Sequence, residues 1–171
     1  MVQRSNSEPN TIRSGRDELA KALRQAANQG LTDYIRPLTG ICGWTIDFEG
    51  SDGYLPIHAA ALNGHGEFVR QLLSETNADV DQETCDGTQR TALHIAAEDG
   101  FIDVVETLLS HGAAVDRGDE DDWSALHFAA SAGELEVVNV LIQSKADLNK
   151  KSNEGNSPIS LAAENGHLAV V

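Results

Sequence analysis

"TALHIAAEDG", Thr91 to Gly100, decides the reading of this chain, because the chain repeats it. "LPIHAAALNG" runs from Leu55 to Gly64, "SALHFAASAG" from Ser124 to Gly133, and "SPISLAAENG" from Ser157 to Gly166. The closing glycines, Gly64, Gly100, Gly133 and Gly166, stand 36, 33 and 33 residues apart. A weaker copy, "LRQAANQG", ends at Gly30, 34 residues before Gly64. Recurrence at this period is the signature of a linear stack of small units.

Each unit has one plan. A short loop carrying Asp or Gly comes first, then a hydroxyl or turn residue suited to capping a helix, sometimes followed by proline, as in Ser157-Pro158. Leu93, Ala96 and Ala97 fall on one helical face, and Gly100 ends that helix. A second helix follows in "IDVVETLLS", with Val104, Val105, Leu108 and Leu109 forming an apolar stripe. Two short helices cannot bury such a stripe alone, but the next unit can cover it, so the units stack. On this pattern Leu108 and Leu109 are both core positions.

These motifs resemble the ankyrin repeat. The pattern G-x-T-P-L-H-x-A-A-x-x-G-H is matched from Gly53 to His65 with Leu55 in the Thr place. It is matched again over Thr91–Gly100 and Ser124–Gly133, with Ala92 and Ala125 in the Pro place, and from Gly155 to His167 with Ser160 replacing His. "LLSHGAAVD" and "LIQSKADLN" resemble the closing L-L-x-x-G-A-D-V-N. The resemblance implies an all-α fold: an ankyrin-repeat solenoid of stacked helix-turn-helix units with finger-like β-turn loops. Expected units are 52–84, 85–120, 121–153 and an incomplete 154–171. Residues 15–51 read as a degenerate N-terminal capping repeat and 1–14 as a flexible polar tail. Within the cap, a helix over residues 16–28 is expected, opened by a capping box at Ser14 and Asp17, and Pro37 should shorten or kink its partner. The run "GHLAVV" at the end leaves Leu168, Val170 and Val171 half an interface. It suggests a fragment, or a stack that another chain segment continues, so the alternative to an independent adaptor, scaffold or inhibitor is a structural segment of a longer regulatory protein, with an enzymatic domain after Val171 as one form of it.

Composition bounds the function. Twelve basic and 27 acidic residues give a net charge of −15. That argues against nucleic acid, whose phosphates are held by Lys and Arg, and allows a protein partner with a basic surface. The opening residues lack a signal-peptide apolar stretch, and no run approaches the roughly 20 apolar residues of a membrane span. The expectation is a cytoplasmic or nuclear monomer with no membrane contact. Cys42 and Cys85 are too few for a disulfide framework. No cofactor motif is present, and none of HExxH, GxSxG or a P-loop occurs, so no enzyme is expected.

His58, His94 and His127 share one phase of the repeat. Zinc holds its ligands at about 2 Å, while packed helices lie about 10 Å apart, so equivalent histidines cannot share an ion. The family resemblance gives them a structural role, a hydrogen bond to the adjoining loop. "DRGDEDDW", Asp116 to Trp123, packs five carboxylates before a tryptophan without the spacing of a calcium loop. Trp123 there either anchors a partner or packs over a neighbouring finger.

Comparison of the units with one another isolates the candidate site. Tyr54, Arg90, Trp123 and Asn156 occupy one repeat position and differ completely. The residues just before each glycine also differ, giving Leu62, Asn63, Glu98, Asp99 and Ser131. The resemblance places such positions on fingers and a concave inner-helix face that binds a protein partner. Asp121 joins them from the acidic finger. Separately, "RSNSEP", Arg4 to Pro9, resembles the phosphoserine motif bound by 14-3-3 proteins, with Ser7 as the phosphate carrier.

Overall fold

The computed structural model describes residues 10–39 and 53–171. Ser7 and residues 40–52, Cys42 among them, lie outside the described residues. Helix α1 spans Asn10–Gln29 and is followed by a 3-10 turn at Thr32–Tyr34 and by α2, Ile35–Thr39. Four units follow with one architecture. Helix α3 (Pro56–Leu62) pairs with α4 (Gly66–Glu75), α5 (Ala92–Glu98) with α6 (Ile102–Ser110), and α7 (Ala125–Ala132) with α8 (Leu135–Gln143). Helix α9 (Pro158–Glu164) is the last.

The stacking is the one the period demands. Helices α1, α3, α5, α7 and α9 pack in succession as an inner row, and α4, α6 and α8 as an outer row. The inner row is alanine-rich because successive helices must approach closely. Ala60, Ala61, Ala96, Ala97, Ala125 and Ala129 are fully buried there. The outer row contributes Phe68, Val69, Val104, Val105, Leu108, Val137 and Leu141 to the same continuous core. Leu108 is fully buried, but Leu109 is only partly buried against the core. Leu109 thus forms the edge of the apolar stripe, touching the core without being enclosed by it.

The first unit departs from expectation at its start. Helix α1 begins at Asn10 and runs through Ser14, so Ser14 is a helical residue and not the N-cap. Leu23, Ala26 and Ala27 turn inward, while Lys21 and Gln25 face solvent. Helix α2 has only five residues and includes Pro37. Proline is tolerated there because a first-turn N–H has no intrahelical partner to lose.

Two hydrogen-bonded seams tie unit to unit. The first uses the repeated histidines. His58 Nδ1 accepts the backbone N–H of Leu55 at 3.1 Å, His94 Nδ1 that of Thr91 at 2.9 Å, and His127 Nδ1 that of Ser124 at 3.1 Å. A backbone N–H can only donate, so the ring proton sits on Nε2. Nε2 then donates to the carbonyl of Gln82 at 2.8 Å, Arg117 at 2.8 Å and Asn156 at 3.2 Å, each in the next finger. Thus the imidazole closes the first turn of the inner helix, which corrects the expectation of a cap made chiefly by the preceding hydroxyl. Ser160 keeps half of this arrangement: its Oγ accepts the Ser157 N–H at 2.8 Å and donates to the Ser157 carbonyl.

The second seam lies at the other end of the inner helices. His65 Nε2 donates to the Asn28 carbonyl at 3.0 Å, and His167 Nε2 to the Ser131 carbonyl at 2.9 Å. Each ring lies over the turn glycine of the preceding unit. Gly64, with φ +70°, is similarly covered by Phe101, and a Cβ there would meet the ring at 2.8 Å. Only glycine satisfies both the left-handed backbone and the close approach.

Candidate functional site

The fingers carry the candidate residues and are built by their own carboxylates. Asp119 Oδ1 accepts the N–H groups of Asp121 and Trp123 at 3.0 and 2.8 Å. Asp116 Oδ1 accepts the N–H of Asp147 in the next finger at 2.8 Å, and Asp81 does the same for Ala114 at 3.0 Å. Asp122 pairs with Lys150, and Glu83 with Arg117. Backbone bonds join neighbouring fingers, from Cys85 N–H to the Gly53 carbonyl, Glu120 N–H to Thr88, and Asn153 N–H to Asp121. Much of the acidic stretch Asp116–Asp122 is thus occupied in holding fingers together. Among the described residues no group of three or more His, Cys, Asp or Glu could hold a metal ion.

The four finger-base residues fall at one register. Each follows a left-handed residue: Gly53 before Tyr54, Gln89 before Arg90, Asp122 before Trp123 and Gly155 before Asn156. Tyr54 meets His58 edge-on, with ring centroids 6.1 Å apart. Trp123 lies 6.0 Å from the His127 ring and 5.2 Å from the Phe128 ring. It therefore rests half-buried on its own inner helix, not over a neighbouring finger. The guanidinium of Arg90 lies 4.5 Å over the same Phe128 ring and pairs with Glu98. Its side chain keeps only 19% of its exposure, and its Nε is buried without a hydrogen-bond partner. Arg90 is thus packed into the stack as well as placed on the candidate face. Asn156 has a structural task as well, since its carbonyl receives His127.

The second line of candidates lies at the C-terminal ends of the inner helices. Leu62 is 47% exposed at the end of α3, a large apolar side chain facing water. Asn63 donates to the Ala59 carbonyl at 2.8 Å. Glu98 and Asp99 are exposed at the end of α5. Burial of part of the Asp99 carboxyl, followed by repulsion from Glu98, raises its pKa above the ordinary carboxylate range. Ser131 accepts Asn165 Nδ2 on its hydroxyl and its carbonyl, both at 3.0 Å. Asp121 is exposed on the finger. The stacking brings Tyr54, Arg90, Trp123 and Asn156 into one row and Leu62, Glu98 and Ser131 into a second row beside it.

Phe128 is the residue that reading the sequence overlooked. It occupies the position of Ala59, Ile95 and Leu161 in the other units. It is half-buried and joins Arg90, His94 and Trp123 into one cluster. The signal was present: a single aromatic residue stands where the other units hold an aliphatic one.

The three inner histidines have nothing left for acid–base chemistry. Both ring nitrogens are engaged and the rings are buried. Burial lowers the pKa of all three, and pushes that of His94 down to about 4. A cleft of about 670 Å³ opens on the opposite, outer-helix side, between Gly66 and Glu106. None of the finger-row candidates lines it. Among the described residues no helix is long and apolar enough to cross a membrane.

Comparison with known proteins agrees with this geometry. A family model described as ankyrin repeats (3 copies) matches residues 23–119 and 114–171. The chain is 28% identical over 116 residues to ankyrin repeat and SOCS box protein 2 of Bos taurus, covering 68% of this chain and 17% of that protein. It is 41% identical over 69 residues to protein phosphatase 1 regulatory subunit 27 of Mus musculus, covering 40% and 43% respectively. It is 33% identical over 90 residues to the Notch-regulated ankyrin repeat-containing protein of Homo sapiens, covering 53% and 75%. The chain spans less than half the length of the first two. Ankyrin repeats generally mediate protein–protein interaction, and repeated matches on this scale, over a stack of this form, show that the chain belongs to the ankyrin-repeat family.

Proposed function

We propose that this chain is a non-catalytic interaction module that holds a protein partner along its finger bases and the neighbouring ends of its inner helices. The carrying observation is the half-exposed Trp123–Phe128 pair with Arg90 stacked on it, with an exposed Leu62 at the end of an inner helix two units away. Aromatic and arginine side chains held rigid at a surface are the residue types that dominate binding energy, because little entropy is lost on contact. The engaged, neutral histidines support the absence of catalysis. The same reading takes the chain as a cytoplasmic or nuclear monomer. It takes the Arg4–Pro9 motif as a separate docking point, where phosphorylated Ser7 engages a 14-3-3 protein.

The test uses three baits: the native chain, Leu62→Arg, and Tyr54→Ala/Trp123→Ala. Leu62 is exposed, so its substitution leaves the stack intact. The double variant is admitted only if it melts close to the native chain. A protein captured by the native bait and lost from Leu62→Arg is the expected result. Identical captures by all three baits would refute the assignment of this face.

A further inference from the structure

We propose that the partner engages this face through an extended, basic segment of about nine residues, with one apolar anchor on Leu62 and a second on the Trp123–Phe128 pair, and with Lys or Arg side chains on Asp99, Asp121 and Glu164. This rests on the binding face proposed above and specifies its occupant. The length follows from the stack. The finger row crosses three unit-to-unit steps of about 10 Å each, and an extended chain advances about 3.3 Å per residue.

The charge follows from separating two kinds of carboxylate. Asp81, Asp86, Asp116, Asp119 and Asp147 each accept hydrogen bonds within or between fingers, so the fold accounts for them. Asp99, Asp121 and Glu164 are exposed, and none has such a task. All three lie on the two rows that frame the aromatic pair. The cations of the same region are already engaged: Arg90 with Glu98 and Phe128, Arg117 with Glu83, and Lys150 with Asp122. Lys151 is exposed on the last finger, beyond the aromatic pair. A partner entering the face meets apolar surface flanked by exposed carboxylates that hold no salt bridge or hydrogen bond within the fold. The raised pKa of Asp99 agrees, because its partial burial and the repulsion from Glu98 outweigh the attraction of Arg90, and a cation placed there would relieve both. An acidic partner would meet like charge along both rows.

The probe is a displayed library of random dodecapeptides selected on the native chain. Recovered peptides are then synthesised, and their binding is measured by fluorescence anisotropy at low and at physiological salt. Two variants accompany the native protein: Asp99→Asn/Asp121→Asn/Glu164→Gln and Leu62→Ser. All four substitutions are at exposed positions, and each variant is checked by its melting temperature. The expected result is Lys- or Arg-rich peptides with aliphatic or aromatic anchors. Their affinity should fall about thirty-fold on the charge variant and about tenfold on Leu62→Ser, and should weaken with salt. Neutral or acidic peptides that are lost on Leu62→Ser would overturn the basic segment while leaving the face as a binding site. Basic peptides indifferent to Leu62→Ser would overturn the anchor at Leu62. Peptides indifferent to both variants would overturn the face as well. Recovery of no peptide would overturn a linear segment, and the three-bait capture would then decide the face independently.

Discussion

Acid should loosen this stack through its inner histidines before its carboxylates titrate. His94 is the sharpest case. In the folded chain its Nδ1 already accepts the Thr91 N–H, and its Nε2–H is given to the Arg117 carbonyl. A second proton on Nδ1 would face a donor and would charge a buried ring. Burial accordingly pushes its pKa down to about 4, against 6.5 for the free side chain. Below pH 6.5 the unfolded chain therefore binds more protons than the folded one. The contribution is fully present above pH 6.5 and is lost as the pH falls towards 4. Between pH 7.5 and pH 5 the loss from this residue is about 2 kcal/mol, or roughly 4–8 °C in melting temperature for a chain of this size. His58 and His127 shift in the same direction and add to it. Falling net charge works the other way, because it relieves self-repulsion in a chain of charge −15. The control that separates the two is His94→Ser, which copies the arrangement at Ser160 and retains the bond to the preceding backbone N–H without a titrating ring. Urea midpoints measured from pH 7.5 to pH 5 should fall less steeply for His94→Ser than for the native chain. In parallel, the His94 ring-proton NMR resonance of the native chain should stay that of neutral imidazole at pH 5. Superimposable pH profiles, or a His94 resonance that titrates near pH 6.5, would refute the buried neutral tautomer.

Three further outcomes follow from the same geometry. Leu108→Ala should destabilise the chain by about 2–5 kcal/mol and Leu109→Ala by clearly less, because only Leu108 is fully buried; equal losses in urea titration would contradict the packing. Glu134 occupies the position from which His65 and His167 donate to the preceding unit, and a carboxylate cannot donate. Glu134→His should therefore gain a bond to the Glu98 carbonyl and raise stability by about 0.5–1.5 kcal/mol, read from thermal melts at pH 7.5. Lys145 holds φ +68° where Gly112 stands in the preceding unit, so Lys145→Gly should be neutral to stabilising by about 1 kcal/mol, whereas glycine at Ser144 should destabilise.

The legible part of the site was its register. Tyr54, Arg90, Trp123 and Asn156 share a repeat position, and the stack does bring that position into one row. What each does there was not legible. Arg90 reads as a free charge until Phe128, from the next unit, is placed under its guanidinium. Trp123 reads equally as an anchor or as packing until its ring is set on α7. The acidic finger reads as a surface until the backbone N–H groups of Trp123 and Asp147 are found on its carboxylates.

The sequence by itself determined the stack: the 33-to-36-residue period, the small residues that let inner helices approach, the turn glycines and the structural place of the histidine shared by three units. These are local or repeat-to-repeat rules, and a repetitive chain states each of them several times. Only the tertiary structure decided how the varying positions combine. Their partners lie one whole unit away in sequence, and nothing in a period specifies which side chain from the next unit will lie over which from the last. That is why the packing of the fold could be read along the chain, while the chemistry of the face became visible only across neighbouring units.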